Sequence, residues 1–489
     1  MRDRKPQGRS RAPESRAAKS AREAAPPDFI TDLQYTSDFY PHLAPSWMNY
    51  IAAINGYPPR QLEGRFNYCE LGCGQGFTAV VLAAANPAGR FFGVDANAEH
   101  VANARRLASA CEVRNAVFMP CTIAQALDED LPSFDFIALH GVWSWVGEEA
   151  RDDILRFVAQ KLNPGGIVSN SYNALPGWAT ILPLREMMVA YGDHKGGSTV
   201  ERLRHGLAYV KFMAQTGAKY FERNPLAARK LEELLRSDAR YLAHEYLTPH
   251  WKPEYFSAVA RRFKAAGLSF CGTYPPESNY SDLCIPQPFR GFLGTAPDRE
   301  TFEIHRDFVV DTRFRIDYFV RLPPAPRPDP FPASLRDRFF FTLVSAPEQA
   351  RAAVQVAGVR MEMAGRLVEP LVEALAEGPV TGAALMARLG SGFAELDVMR
   401  GLQYLVLGRH VVPGARAPAR GRPQPFSTAN RELLARAFAQ PTDQAVLAST
   451  VSGGGLQFRT FDALALAGVL HAGKGEAVGW CLDFMHARG

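Results

Sequence analysis

Three glycines at alternate positions, Gly72, Gly74 and Gly76, mark the stretch of this 489-residue chain that is best suited to bind a ligand. The apolar run at 66–71 that precedes them predicts a buried strand, and a helical run at 79–85 follows them. Glycines between a strand and a helix let a ligand lie directly against the backbone, close to the amides that begin the helix. The stretch therefore predicts a ligand-binding loop.

Two acidic residues stand where they could contact a ligand in this loop. Glu70 lies two positions before the first glycine, and Asp95 ends a second predicted strand at 90–95. Asp95 follows the glycines by about 20 residues, the separation at which a doubly wound fold places its ribose-binding carboxylate. A carboxylate accepts two hydrogen bonds at once, so it suits a pair of ribose hydroxyls.

The order Glu-x-Gly-x-Gly-x-Gly differs from the dinucleotide-binding pattern G-x-G-x-x-G. It resembles motif I of class I S-adenosylmethionine-dependent methyltransferases. The resemblance implies that S-adenosylmethionine is the cofactor, that Glu70 helps to hold its amino end, and that Asp95 takes both ribose hydroxyls. It also implies that backbone groups after the third strand contact adenine. The segment before the first strand would form a lid over the cofactor. Tyr35 in this segment could belong to the lid, or it could only pack against the protein. The predicted cofactor-binding residues are Tyr35, Glu70, Gly72, Gly74, Gly76, Asp95, Ala96, Cys121, Thr122 and His140.

Two further blocks, HGVWSWV at 140–146 and VSNSYNALPGW at 168–178, lie at the ends of the fourth and fifth predicted strands. Doubly wound sheets bind their ligands beyond the carboxyl ends of the strands. The blocks resemble a bacterial subfamily that joins a class I methyltransferase domain to a methyltransferase regulatory domain. This subfamily includes protein-lysine methyltransferases that act on rickettsial outer-membrane proteins. YLAHEYL at 241–247 and DFVVDTRFR at 307–315 fit the same subfamily, and the resemblance covers roughly residues 30–320.

The resemblance implies methyl transfer by in-line displacement, most readily to a protein lysine, for which positioning and exclusion of water matter most. An aromatic pocket would lower the pKa of the lysine amine and stabilise positive charge. His140 could receive the proton, or it could only orient the cofactor or bond the backbone. Core packing is the alternative for each aromatic side chain. The predicted catalytic residues are His140, Tyr172 and Trp143, and the predicted substrate-binding residues are Trp145, Asn173, Trp178 and His244.

Other interpretations remain open from the sequence. His244 and the adjacent Glu245 could form a structural hydrogen-bonded pair rather than contact a substrate. The acceptor could be a small molecule that is methylated on oxygen or nitrogen, because the same cofactor site would serve. A non-enzymatic binding or regulatory protein could keep the fold, and a winged-helix transcription factor is a further alternative.

The charge distribution argues against a nucleic-acid-binding body. The net charge is +5, and the first 23 residues hold eight Lys or Arg against three Asp or Glu, so the rest of the chain is neutral by count. No apolar run reaches transmembrane length and no secretory signal is evident, so we expect no membrane partner. Seven cysteines without tight pairs suit a reducing cytoplasm, and we predict that Cys69 and Cys73 are apolar fillers rather than metal ligands.

The chain is too long for one ordinary domain. Six prolines in residues 323–332 predict a linker, and three short helices followed by a strand in residues 363–413 predict a winged-helix order. Its third helix carries Glu395, Asp397 and only Arg400, which favours protein contact, such as a homodimer, over DNA. The predicted parts are a disordered basic tail (1–27), a doubly wound Rossmann-like α/β methyltransferase domain (28–195), a mainly helical regulatory or middle domain (196–322), a Pro-rich linker (323–335) and a winged-helix-like α+β domain (336–489).

Overall fold

The computed structural model describes residues 38–237, 242, 245–323, 331–352, 354–356, 359–361, 365–414, 427–440 and 443–486. The predicted basic tail, Tyr35, His244 and most of the predicted linker lie outside these residues.

A sheet of eight strands forms the centre of residues 38–323. Its strands run in the order β3-β2-β1-β4-β5-β8-β7, and β6 pairs with the end of β5. The first five strands are parallel, as a doubly wound fold requires, and β8 is antiparallel to both β5 and β7. The strands are β1 (Phe66–Leu71), β2 (Gly89–Asp95), β3 (Ala116–Pro120), β4 (Phe134–Leu139), β5 (Leu162–Leu175), β6 (Glu254–Tyr255), β7 (Ser269–Tyr274) and β8 (Phe314–Val320).

Both faces of this sheet are covered, which explains why its central strands are apolar throughout. In β1, Tyr68 packs into one apolar cluster, while Cys69 and Leu71 pack into a second cluster on the opposite face. The helices that connect the first five strands are α2 (Phe77–Ala85), α3 (Ala98–Ala110), α4 (Ile123–Asp128) and α5 (Glu148–Lys161), and α1 (Pro45–Ile54) precedes β1.

A helical cap follows β5 and has an apolar core of its own. Its helices are α6 (Leu182–Lys195), α7 (Thr199–Gln215), α8 (Lys219–Arg223) and α9 (Pro225–Arg236). The core of the cap includes Trp178, Leu184, Leu203, Tyr246 and Trp251.

The segment 196–322 returns to the sheet of the preceding segment, and the domain boundary at residue 195 stays a prediction. After the cap, α10 (Phe256–Ala265) leads to β7, and α13 (Arg299–Val310) leads to β8. Phe319 of β8 lies in the same cluster as Ile137 of β4, so these late strands share the methyltransferase core. Two short helices, α11 (Ser281–Cys284) and α12 (Gln287–Leu293), lie between β7 and α13.

The segment 331–414 forms a three-stranded sheet in the order β12-β9-β13 and a two-stranded pair β10-β11. The predicted order of three helices followed by a strand is present, but the assignment as a winged helix stays a prediction. The elements are α14 (Ala333–Arg338), β9 (Phe340–Leu343), α15 (Pro347–Arg351), β10 (Val354–Val356), β11 (Val359–Met361), α16 (Val368–Ala376), β12 (Val380–Thr381), α17 (Gly382–Leu389), α18 (Glu395–Leu407) and β13 (Val411–Gly414).

The last segment, 427–486, has a separate small core. Its hairpin packs on α2, where Asn86 Nδ2 donates a hydrogen bond of 2.8 Å to the carbonyl oxygen of Gly453. The elements are α19 (Thr428–Phe438), β14 (Ala445–Ser449), β15 (Gly454–Phe458), α20 (Thr460–Ala472) and α21 (Ala477–His486). Within the described ranges, no helix has the length and apolarity needed to cross a lipid bilayer.

Candidate active site

The glycine loop joins β1 to α2 in a backbone conformation that side chains rarely adopt. The φ angles of Gly72, Gly74 and Gly76 are 73°, 53° and 71°. A Cβ atom added to Gly72 would lie 2.4 Å from Val142, and one added to Gly76 would lie 2.5 Å from Ala104. A Cβ atom on Gly74 would meet nothing within 4 Å, so this glycine faces open space. The loop therefore presents bare backbone to a cleft.

Asp95 connects this loop to the end of β2. Its Oδ2 accepts a hydrogen bond of 2.8 Å from the amide of Gly74, and its Oδ1 accepts one of 2.9 Å from the amide of Asn97. The carboxylate is only partly buried, and each oxygen keeps a further lone pair. Asp95 can thus hold the loop and still accept hydrogen bonds from a diol.

Glu70 is a buried acid without a hydrogen-bond partner for its Oε2 among the described residues. Burial, together with the nearby charge of Asp95, raises the pKa of its carboxyl to about 8. A buried, unpaired carboxyl group costs free energy that a cationic partner would offset. Together with the open space beside Gly74, this acid fits the amino end of S-adenosylmethionine.

His140 follows β4 directly and its Nδ1 is surrounded by protein groups. Nδ1 lies 3.0 Å from Ser171 Oγ and 3.1 Å from His42 Nε2, and the ring centroid lies 3.8 Å from that of Tyr40. Burial lowers the pKa of His140 to about 4, and burial also lowers the pKa of His42 well below its usual value. Both imidazoles are therefore neutral near pH 7, and Nε2 is the nitrogen of His140 that remains for a ligand.

Successive side chains of β5 point to opposite faces of the sheet, and this overturns the prediction for Tyr172. Ser171 contacts His140, so Ser171 and Asn173 lie on the face of the site, and Tyr172 between them points to the opposite face. The ring of Tyr172 is fully buried there, and its hydroxyl donates a hydrogen bond of 2.7 Å to Asp317 Oδ2. The prediction that Tyr172 is catalytic is wrong.

Trp143 is also a core residue rather than a catalytic one. Its side chain is fully buried, and its indole N–H donates a hydrogen bond of 2.7 Å to Glu254 Oε2. The guanidinium groups of Arg151 and Arg262 lie 5.9 and 5.6 Å from the ring centroid. No part of this ring is left for a substrate, so the predicted catalytic role is wrong.

Trp178 belongs to the core of the cap. Its indole N–H donates a hydrogen bond of 2.7 Å to the carbonyl oxygen of Arg313, whose guanidinium lies 5.2 Å from the ring centroid. Trp251 packs against the ring at a centroid distance of 4.9 Å. The predicted contact of Trp178 with substrate is therefore wrong, whereas Trp145, which is only partly buried beside this core, remains a predicted substrate contact.

Asn173 joins β5 to the cap above the site. Its side-chain Nδ2 donates a hydrogen bond of 3.1 Å to Glu245 Oε1, and its backbone amide donates one of 2.8 Å to Ser144 Oγ. Burial raises the pKa of Glu245. The sequence prediction included Asn173, and it left open whether Glu245 contacts a substrate or forms a structural pair with His244.

The backbone groups of Thr122 already form hydrogen bonds within the chain, and their contact with adenine stays a prediction. The amide of Thr122 donates a hydrogen bond of 2.8 Å to Gln125 Oε1, and its carbonyl oxygen accepts one of 2.9 Å from Ala126. Both groups are therefore used at the start of α4, where Thr122 and Gln125 form a capping box. The half-buried Cys121 and the exposed Ala96 stay predicted cofactor contacts.

Sequence reasoning missed several neighbours of His140. These are Tyr40, His42, Ser171 and Phe314, whose ring centroid lies 6.1 Å from that of His140. The aromatic residues ahead of the first helix were a signal for Tyr40. Phe314 lies in the block DFVVDTRFR that resembles the subfamily, but only the pairing of β8 with β5 brings it to the site.

Comparisons with known proteins agree with this site. A family model described as a methyltransferase domain matches residues 69–168, and one described as a predicted methyltransferase regulatory domain matches residues 238–321. The uncharacterized protein sll1526 of Synechocystis is 31% identical over 450 residues, which cover 90% of this chain and 87% of that protein. The uncharacterized protein RP028 of Rickettsia prowazekii is 30% identical over 217 residues, covering 44% of this chain and 86% of that protein.

Among solved structures, PKMT2 from Rickettsia typhi in complex with AdoHcy aligns with a TM-score of 0.69 over 93% of this chain and 92% of that chain. The sequence identity of 19% in this alignment establishes a shared fold. The chain therefore belongs to the bacterial class I S-adenosylmethionine-dependent methyltransferases that carry a methyltransferase regulatory domain, which confirms the resemblance.

Proposed function

We propose that this methyltransferase transfers its methyl group to the side-chain amine of a protein lysine. The two blocks at the ends of β4 and β5 support the proposal, because they resemble a subfamily that includes protein-lysine methyltransferases. PKMT2 from Rickettsia typhi, which shares this fold, was solved in complex with AdoHcy, and this supports methyl transfer as the reaction.

The observation that carries the proposal is the pair of aromatic rings beside His140. The ring of Tyr40 contacts this imidazole in a tilted arrangement, and the ring of Phe314 lies edge-on to it at a centroid distance of 6.1 Å. Phe314 is 42% exposed, so an acceptor can reach its ring. These two rings take the place that the sequence prediction gave to Trp143 and Tyr172.

Such surroundings suit an amine that must lose its proton before it reacts. Partial desolvation lowers the pKa of an ammonium group, and aromatic faces stabilise positive charge on nitrogen. His140 is neutral and weakly basic, so its contribution is to orient a ligand rather than to act as a strong base. S-adenosylmethionine, when bound, supplies a methyl group that its sulfonium already activates, so positioning is the main demand on the protein.

The test is methylation of lysine-rich bacterial surface proteins with S-adenosylmethionine labelled in the methyl group. Acid hydrolysis of the labelled protein should yield methylated lysine, and prior acetylation of the acceptor lysines should abolish the labelling. The Asp95→Ala variant serves as the control for background transfer. Label that base releases as methanol, or label found only in small molecules of a cell extract, would contradict a lysine acceptor.

A further inference from the structure

The acceptor side of the site contains an acid that the cofactor does not require. Glu245 lies in the helical turn of residues 245–247 above the end of β5, and its Oε1 accepts the hydrogen bond of 3.1 Å from Asn173. Glu70 and Asp95 already account for the two carboxylates that a class I cofactor site uses. Glu245 therefore needs a separate explanation.

The position of Asn173 places this acid on the cap side of the residues around His140. Asn173 lies two residues beyond Ser171 on the same face of β5, which is a step of roughly 7 Å. Ser171 contacts His140, and Asn173 is the partner of Phe314 in the register between β5 and β8. His140, Ser171 and the Asn173–Glu245 pair therefore follow one another along the site face of β5 toward the cap.

The charges around Glu245 leave room for a cation. Within the part of the chain that the structure describes, Glu245 forms no ion pair, and its hydrogen bond comes from a neutral amide. Burial raises the pKa of Glu245 more than the hydrogen bond from Asn173 and the charge of Arg313 lower it, and the Arg313 guanidinium lies over the ring of Trp178. A largely buried carboxylate without a bound cation is costly, and an ammonium group of the substrate would offset that cost.

We propose that Glu245, held in place by Asn173, selects a cationic amine acceptor by binding the ammonium group of the incoming lysine before that group loses its proton and moves to the methyl donor. This inference rests on the proposed function, because it names the residue that would distinguish lysine from a neutral acceptor. Glu245 is then a specificity-determining residue, and Asn173 is its positioning residue.

A binding measurement tests this assignment without an acceptor protein. Sinefungin carries an amine-bearing carbon in place of the sulfonium and its methyl group, so its ammonium group lies at the point of transfer, whereas S-adenosylhomocysteine has no such group. Titration calorimetry should show that Glu245→Gln loses about tenfold of the preference for sinefungin, while its affinity for S-adenosylhomocysteine stays at the wild-type value. The matched control, Glu222→Gln, changes an exposed acid of the same cap and should keep the full preference. An unchanged preference in Glu245→Gln would overturn the assignment.

A kinetic measurement separates this assignment from the proposed function. With poly-L-lysine as the acceptor, Glu245→Gln should raise KM about tenfold and leave kcat near the wild-type value. Failure of the wild-type protein to methylate the polymer, together with a lost sinefungin preference in the variant, would refute the lysine acceptor and retain Glu245 as an ammonium site. If Glu245→Gln does not fold, Glu245→Asp decides, because a shortened carboxylate should lose part of the preference and full retention would contradict the assignment.

Discussion

Binding of S-adenosylmethionine should depend on pH through Glu70. The carboxyl of Glu70 has a pKa of about 8 in the free protein because it is buried, so it is mostly protonated at neutral pH. It must ionise to pair with the ammonium group of the cofactor. Because the pKa of Glu70 is raised, less of this carboxyl is ionised at low pH and binding is weaker there. The affinity should increase as the pH rises toward 8.

The magnitude follows from the loss of one proton on binding. Between about pH 5.5 and pH 7.0, the affinity should rise about tenfold per pH unit, or about 30-fold in all, which corresponds to ~2 kcal/mol. The amino group of the cofactor stays largely protonated in this range. The pKa values of His140, about 4, and of His42, far below its usual value, also keep these two rings neutral throughout the range.

Isothermal titration calorimetry in two buffers with different ionisation enthalpies measures both the affinity and the released proton. At pH 7, about 0.9 proton should be released per bound cofactor. The Glu70→Gln variant is the control, because it should bind with an affinity that does not change over this range. A wild-type affinity that is constant from about pH 5.5 to 7.0, with no released proton, would refute a Glu70 carboxylate as the partner of the cofactor amine.

Three substitutions test other parts of the structure. Asp95→Ala should weaken cofactor binding by about 2 kcal/mol or more in calorimetry, because charge-assisted hydrogen bonds are lost; an unchanged affinity would remove Asp95 from the site. Tyr172→Phe should lower the free energy of unfolding in urea by ~2 kcal/mol, because Asp317 loses its phenolic donor, and should keep wild-type kcat; a kcat reduced tenfold would restore Tyr172 to the catalytic residues. Arg315→Met should cost about 3–5 kcal/mol of unfolding free energy, since the buried carboxylate of Glu303 loses an ion pair of 2.9 Å; a cost below ~1 kcal/mol would show that this pair contributes little.

The cofactor half of the site could be predicted because it is local in the chain. A strand, three glycines, a helix and an acid at the end of the next strand form one βαβ unit, and the residues of the unit contact each other wherever it occurs. The structure places Glu70, Gly74 and Asp95 together as the spacing predicts. The strands β1 to β5 could be predicted for the same reason.

The extension of the sheet could not be predicted with the same certainty. The segments that become β7 and β8 lie beyond about 60 residues of cap helices, and only their pairing with β5 brings them into the first core. A boundary placed at residue 195 follows the change from strands to helices in the sequence, but the chain later returns to the sheet.

By itself, the sequence determined the class of enzyme, the cofactor loop and the general position of the acceptor rim at the ends of β4 and β5. Only the tertiary structure decided which rim residues face the site. A strand sends successive side chains to opposite faces, so the same stretch that was predicted to be catalytic presents Ser171 and Asn173 to the site and buries Tyr172 behind it. The remaining site residues, among them His42 and Glu245, are distant in sequence, and local patterns do not encode contacts between distant segments.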